Sequence, residues 1–296
     1  MVLIAGGTGR LGTRVVDMLT KRHMPVRVLT RDRARAQQLR SDLVEVIQGD
    51  VRDPGSLKPA VAGAATVISA IQGFDDRTSS PEATDRDGNR HLINAAREAG
   101  VEHVVLLSAY GVRPDHPMSL FRAKYTAEQF LKEAGLAWTI IRPTAFIEFW
   151  AKLVGQPLLD TGRTRVFGRG DNPINFVSAG DVAKAVEVAV VDPSMRGVEL
   201  DMGGPDNLTM NQVVGIFKEL SAHKGKVSHV PLASMKIMSV LMRRINPALA
   251  RQIQAGVIMD TEDWTWDPSA NRKRYTWLLQ TPLSEVVRRD LHSVPA

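Results

Sequence analysis

Apolar and polar positions alternate in blocks along the first half of the chain. Short runs rich in β-branched residues recur at 2–5, 26–30, 44–48, 66–70, 103–108 and 138–142, each of strand length and bounded by turn formers such as Pro25, Gly63, Gly73, Gly100 and Gly135. Between most of them lie stretches of helical periodicity, at 10–22, 83–99 and 119–133. Strands that alternate with helices predict right-handed crossovers and a parallel sheet covered on both faces. The near-continuous apolar character of the runs fits a sheet buried on both sides. The expected fold class is therefore α/β, a doubly wound parallel sheet of Rossmann type with a smaller C-terminal lobe.

Past Arg142-Pro143 the rhythm loosens. Ser178 with Asp181, and Thr209 with Gln212, have the spacing of capping boxes and predict two helix starts. Residues 198–202 read as a further strand, and 233–255 as an amphipathic helical stretch broken by Pro247. The expected division is 1–144 as a dinucleotide-binding domain and 145–296 as a substrate lobe interleaved with the sheet.

The chain has 296 residues, 44% of them hydrophobic and 24% charged, which is enough apolar material for a full globular core. It contains no cysteine, which excludes disulfides and thiolate chemistry within it. Lys and Arg exceed Asp and Glu, giving a net charge of +6, but the excess is spread along the sequence and argues against a nucleic-acid surface. No leader pattern and no apolar run of membrane-spanning length occurs, so the expected protein is cytoplasmic with no membrane span. The seven histidines show no ligand spacing, and no metal is expected.

The chemistry is carried by IAGGTGRLGTRVV, residues 4–16, where four glycines fall within seven positions after the first strand and before the first helix. In that context Gly6, Gly9 and Gly12 make the tight turn, the close backbone approach to a pyrophosphate and the helix–strand packing of a dinucleotide site. Thr8, Arg10 and Leu11 belong to the same turn, whose N–H groups face the anion. An acid at the end of the second strand would hold the ribose hydroxyls of NAD. Thr30 and Arg31 stand there instead, so Arg31, with Arg10 and Arg35, is expected to hold the 2′-phosphate of NADP(H). Asp32 follows immediately and is expected to point elsewhere. In a parallel sheet ligands lie beyond the carboxyl ends of the strands. This places Gly49, Asp50 and Val51 near the adenine, Ala70 and Ile71 along the cofactor, and Ser108 and Tyr110 near the nicotinamide, with Pro143, Thr144 and Phe146 over it.

GGTGRLG, the TRD after the second strand, QGDVRDPGSL, LLSAYG, FRAKYTAEQFL, WTIIRPTAF and NFVSAGDVAKAV together resemble the NmrA-like group of atypical short-chain dehydrogenase/reductases over roughly residues 1–200. The resemblance implies an NADPH-dependent reductase, with a quinone as the most fitting acceptor, or a non-catalytic NADP(H) sensor or assembly protein with a protein partner. It also implies that residues 175–177 lie beside the sixth strand. One departure bears on activity. The superfamily's Tyr-x-x-x-Lys pairs a proton-exchanging tyrosine with a ribose-binding lysine; Lys124 matches the lysine, but Leu120 stands in the tyrosine's place. Lys124 is expected to hold the nicotinamide ribose. The catalytic role falls either to Lys124, as acid or as orienter of a water, or to Tyr110.

Phe146, Phe149 and Trp150 read either as an apolar wall for a flat acceptor or as lobe core. The stretch 235–245, MKIMSVLMRRI, reads as a lobe-packing or lid helix, or as a membrane-surface or partner helix. Residues 261–279, with three tryptophans, are expected to pack the tail onto the substrate lobe.

Overall fold

A computed structural model describes residues 1–39, 41–74, 76–220, 225–271 and 273–293. Arg40 of the basic cluster and His223 lie outside them. Six strands, β1 (Val2–Ala5), β2 (Val26–Thr30), β3 (Val44–Gln48), β4 (Thr66–Ser69), β5 (His103–Leu107) and β6 (Ala137–Pro143), form the main sheet with β10 (Val198–Met202) at its edge. Their order is β10-β6-β5-β4-β1-β2-β3, and β1–β2, β2–β3, β1–β4, β4–β5 and β5–β6 all pair in parallel. This is the doubly wound order, with its switch point between β1 and β4. All residues of β1, β4 and β5 are buried. The edge strand β3 is only half-buried, and Glu45 breaks its apolar run.

The helices of this part are α1 (Arg10–Lys21), α2 (Leu57–Val61), α3 (Asn89–Glu98) and α4 (Ser119–Glu133). In α1 the buried residues are Gly12, Val15, Val16 and Leu19, the one-sided spacing of a helix lying on a sheet. Leu3, Leu57, Leu92 and Leu131 meet in the core of this unit, fully buried; each contributes on the order of 1.5–3 kcal/mol over an exposed position. Two elements depart from the predicted pattern. One lies where no element is predicted: residues Arg33–Leu39 form a short 3-10 helix after β2, capped by Asp32, whose Oδ1 accepts the Ala34 N–H at 2.9 Å. The helix expected at 83–99 begins as a wider π-turn, Glu82–Gly88, before α3.

The chain divides into two compact units, Met1–Pro143 with Val182–Asp201, and Thr144–Asp181 with Met202–Ala296. A single cut near 144 therefore does not separate them, because 182–201 returns to the first. In the second unit, β7 (Ala145–Phe146), β9 (Ile174–Val177) and β11 (Asn207–Leu208) form one small sheet, and β8 (Arg163–Phe167) with β12 (Lys226–Val230) another. Phe176 and Val177 pair with β7, which directly follows the sixth strand in the chain, while Asn175 pairs with Asn207 of β11.

The helices of this unit are α5 (Ile147–Trp150), α6 (Gln156–Thr161), α8 (Met210–Leu220), α9 (Leu232–Ile245), α10 (Pro247–Met259) and α11 (Leu283–Ser293), while α7 (Ala179–Val191) belongs to the first unit from Val182 onward. Thr209 and Gln212 form a reciprocal capping box, with bonds of 2.8 and 3.1 Å. Ser178 caps only Gly180 N–H, and Asp181 instead accepts the Thr281 N–H and hydroxyl at 2.7 and 2.8 Å. That pair ties down the tail. Trp264 bridges to Ile174, and Trp266 is buried with its N–H on Asn207 Oδ1. Trp150 packs on the core of this unit, with Phe149 edge-on to it at 5.3 Å.

Candidate cofactor site

The glycine loop joins β1 to α1 at the sheet's switch point. Gly6 has φ +89°, a left-handed conformation, and a Cβ on it would stand 2.4 Å from Ala70 O. A Cβ on Gly12 would stand 2.2 Å from Gly6 O. Protein backbone therefore demands both glycines. Gly9 is different: its φ is −82°, and a Cβ there would meet only Gly6 O, at 3.3 Å. What its missing side chain keeps clear is the space before the first turn of α1. That turn has no side-chain cap and no acidic residue, and its first backbone bond is Thr13 N–H to Gly9 O at 2.9 Å. The N–H groups of Leu11 and Gly12 precede it and have no intrahelical acceptor. An open cradle with outward N–H groups at the positive end of a helix fits a pyrophosphate.

At the end of β2, Arg31 is half exposed and bonds the Asp76 carboxylate at 2.7 Å. Burial acts to raise Asp76, but hydrogen bonds from Arg31 and Thr78 hold its pKa down to about 2. Arg10 and Arg35 are exposed. Past β3, Gly49 N–H returns to Thr30 O at 3.0 Å. The Asp50 carboxylate, expected to face the adenine, is already held by Arg52, through its backbone N–H at 2.9 Å and its guanidinium at 2.6–3.1 Å. Against the upward effect of burial, these bonds keep Asp50 below the usual carboxylate range. Val51 is buried and its carbonyl accepts from His91 Nδ1 at 2.9 Å. Ala70 N–H donates to Ala5 O at 2.9 Å, continuing β4 beside the glycine turn, and Ile71 packs on the core.

A buried polar cluster lies at the end of β5. Lys124, on α4, is buried, and its Nζ donates to Leu107 O at 2.9 Å. Asp85 Oδ1 stands 3.3 Å from the same Nζ, while Oδ2 accepts Gly73 N–H at 2.8 Å. Asp85 is wholly buried; burial pushes its pKa up, and the Lys124 charge and the Gly73 N–H act against that. Beyond the Lys124 ion pair Asp85 Oδ1 has no hydrogen-bond partner, and Ser108 Oγ, one residue past Leu107, is buried with none. Such orphaned polar atoms are uncommon inside proteins unless a ligand or water completes them. Lys124 carries three donors, so one remains after these two contacts. Tyr110 is half-buried, its N–H on Pro143 O at 2.9 Å. Leu120 is buried on α4.

Asp85 is the site residue that sequence reasoning missed. The signal was present: residues 85, 89, 92, 93 and 96 share one helical face, all buried. An acid and an amide interrupt that otherwise apolar stripe. Asn89 serves the same region, donating to Asp85 O at 2.6 Å and accepting from Ser69 Oγ at 2.5 Å. Among the described residues no His, Asp or Glu group is arranged to hold a metal, and no helix is long and apolar enough to cross a membrane.

A family model described as NAD(P)H-binding matches residues 6–193. The NAD(P)H azoreductase of Xenophilus azovorans is 29% identical over 226 residues, covering 76% of this chain and 74% of its own. The photosystem II assembly factor Ycf39 of Trieres chinensis is 26% identical over 238 residues, covering 80% and 74%. In fold, the chain is similar to an NADPH-dependent quinone oxidoreductase from Escherichia coli solved with NADPH, at TM-score 0.79 and 23% identity over 98% of this chain and 100% of the other.

Proposed function

Since the chain belongs to the NAD(P)H-binding family, we propose that it is an NADPH-dependent reductase whose acceptor is a small apolar compound, most fittingly a quinone. The observation that carries this reading is the buried Lys124, bonded to Leu107 O at the end of β5, together with the buried, unpartnered hydroxyl of the next residue, Ser108. Holding a lysine charge and an orphan hydroxyl inside the fold is costly unless a ligand uses them. NADPH supplies the hydride from its nicotinamide ring. The glycine cradle and the N–H groups of Leu11 and Gly12 bind the pyrophosphate, and Arg31 turns from Asp76 to the 2′-phosphate. Lys124, fixed by Leu107 O and Asp85, gives its remaining donor to the nicotinamide ribose, while Ser108 orients the ring. With leucine at position 120 the tyrosine that pairs with the lysine in the superfamily is missing, so an acceptor that needs no proton in the hydride step is favoured. A quinone takes hydride readily, and its oxyanion is protonated afterwards by solvent or by Lys124. Two electrons and one proton arrive as hydride, and the second proton completes the hydroquinone.

A sensor or assembly role has one observation of its own, the buried Leu120 where the reductases' acid would stand, and the Ycf39 similarity points the same way. Nicotinamide fluorescence separates the two. Purified protein is mixed with NADPH, then with a panel of quinones, enones and azo compounds. A bound signal that decays with one acceptor class is the expected result. A bound signal that persists against the whole panel would sink the reductase and leave the sensor. Lys124→Met is expected to weaken NADPH binding about tenfold, equivalent to about 1.4 kcal/mol.

A further inference from the structure

Half of the large hydrophobic side chains exposed among the described residues fall within nine consecutive positions of α9: Ile237, Met238, Val240, Leu241 and Ile245, at 63, 44, 58, 58 and 76% exposure. The opposite face, through Met235 and Ser239, is buried, and the Met235 methyl lies where a Cβ on Gly256 of α10 would be only 2.9 Å away. Packing within the unit therefore accounts for one side of the helix. It does not account for the other, an aliphatic ridge covering an arc of about 160°. Ridges of this kind on a soluble surface mark a binding face.

The charges indicate what covers it. No Asp or Glu occurs anywhere between Lys226 and Met259. The α9–α10 hairpin carries Lys236, Arg243, Arg244 and Arg251 with no acid. Lys236 and Arg243 border the ridge on one side, and Arg244 stands within it, with a stem long enough to lift its charge clear of an apolar layer. A second copy of the chain would bring these cations against their own kind. A protein partner is disfavoured by the absence of any aromatic anchor on the ridge. We propose that the outward face of α9 seats in an anionic lipid bilayer, with the aliphatic ridge at the acyl boundary and the cations at the headgroups. The protein would then be peripherally membrane-bound, lying on the surface without spanning it.

Co-sedimentation tests this, with phosphatidylcholine vesicles compared against phosphatidylcholine–phosphatidylglycerol vesicles. The expected result is about tenfold more protein on the anionic vesicles, falling as salt is raised. Both Ile237→Ser/Leu241→Ser/Ile245→Ser and Lys236→Glu/Arg243→Glu/Arg244→Glu should abolish it. NADPH fluorescence on each variant reports folding and cofactor binding separately, so failure here is distinct from failure of the reductase reading. Absence of sedimentation on either vesicle, or equal sedimentation on both, overturns the proposal. A dimer in light scattering that Leu241→Glu splits into monomers overturns it in favour of a second copy.

Discussion

At the scale of single residues, the cofactor site combines positions that the backbone requires with positions that only a ligand requires. Gly6 and Gly12 belong to the first kind, since a Cβ on either would collide with a carbonyl oxygen. Gly9 and Arg31 are proposed to belong to the second. Arg31 has a protein partner, Asp76, but remains half exposed, and an exposed pair of this kind contributes little to stability. Its replacement should therefore act on the cofactor. Arg31→Asp is expected to shift the NADPH-to-NADH affinity ratio by roughly ten- to a hundredfold toward NADH, the equivalent of one charged hydrogen-bonding group at about 1.5–3 kcal/mol. Fluorescence titration with both cofactors measures it. An unchanged ratio would remove Arg31 from the 2′-phosphate site.

At the scale of elements, the neighbouring strands β5 and β6 are joined by a polar side-chain contact inside the core. His103 of β5 is buried and its Nε2 meets Thr139 Oγ1 of β6 at 2.9 Å. Thr139 donates its own proton to Met195 O at 2.7 Å, so the His103 Nε2 is the donor in this pair. Burial, and then the charge of Arg196, push its pKa from 6.5 down to about 4. In that window the unfolded chain binds the proton and the folded chain does not, so stability is full above pH 6.5 and falls as the pH drops toward 4. The loss is about 1.4 kcal/mol for each pH unit across the window. Urea unfolding at several pH values should show this slope and its reduction in His103→Gln. A wild-type curve flat over the same window would mean that the imidazole is not held neutral.

Element boundaries were readable where a local signal sets them. The Thr209–Gln212 box and the break at Pro247, where Asn246 Oδ1 caps Leu249 N–H at 3.1 Å, both sit within a few residues of their cause. The Ser178–Asp181 spacing has the same form and a different outcome, because Asp181 finds Thr281, 100 residues along the chain. The π-turn at Glu82–Gly88 was equally hidden. It brings Asp85 under Lys124 and beside Gly73, contacts that helical periodicity does not encode.

For the whole molecule, Gly9, Leu11, Gly12, Arg31 and Lys124, the residues proposed to hold the pyrophosphate, the 2′-phosphate and the nicotinamide ribose, lie in the first unit, Met1–Pro143 with Val182–Asp201. Cofactor binding should therefore stabilise that unit by mass action. NADPH at a hundredfold excess over its dissociation constant is expected to add about 2.7 kcal/mol, read as a rise in Tm by calorimetry. An unmoved transition would argue against a preformed cradle.

Sequence alone determined the parallel α/β order, the glycine cradle at its first turn, the absence of thiol chemistry and the missing tyrosine before Lys124. Each of these depends on residues close together in the chain, where backbone sterics and periodicity act directly. Only the tertiary structure decided that Lys124 is buried against Asp85, that Arg31 already holds Asp76, that Asp50 is taken by Arg52, and that α9 turns an aliphatic face outward. Those outcomes depend on which face of each helix the core covers. The core, not the local pattern, sets which charges lose their water and must find a partner.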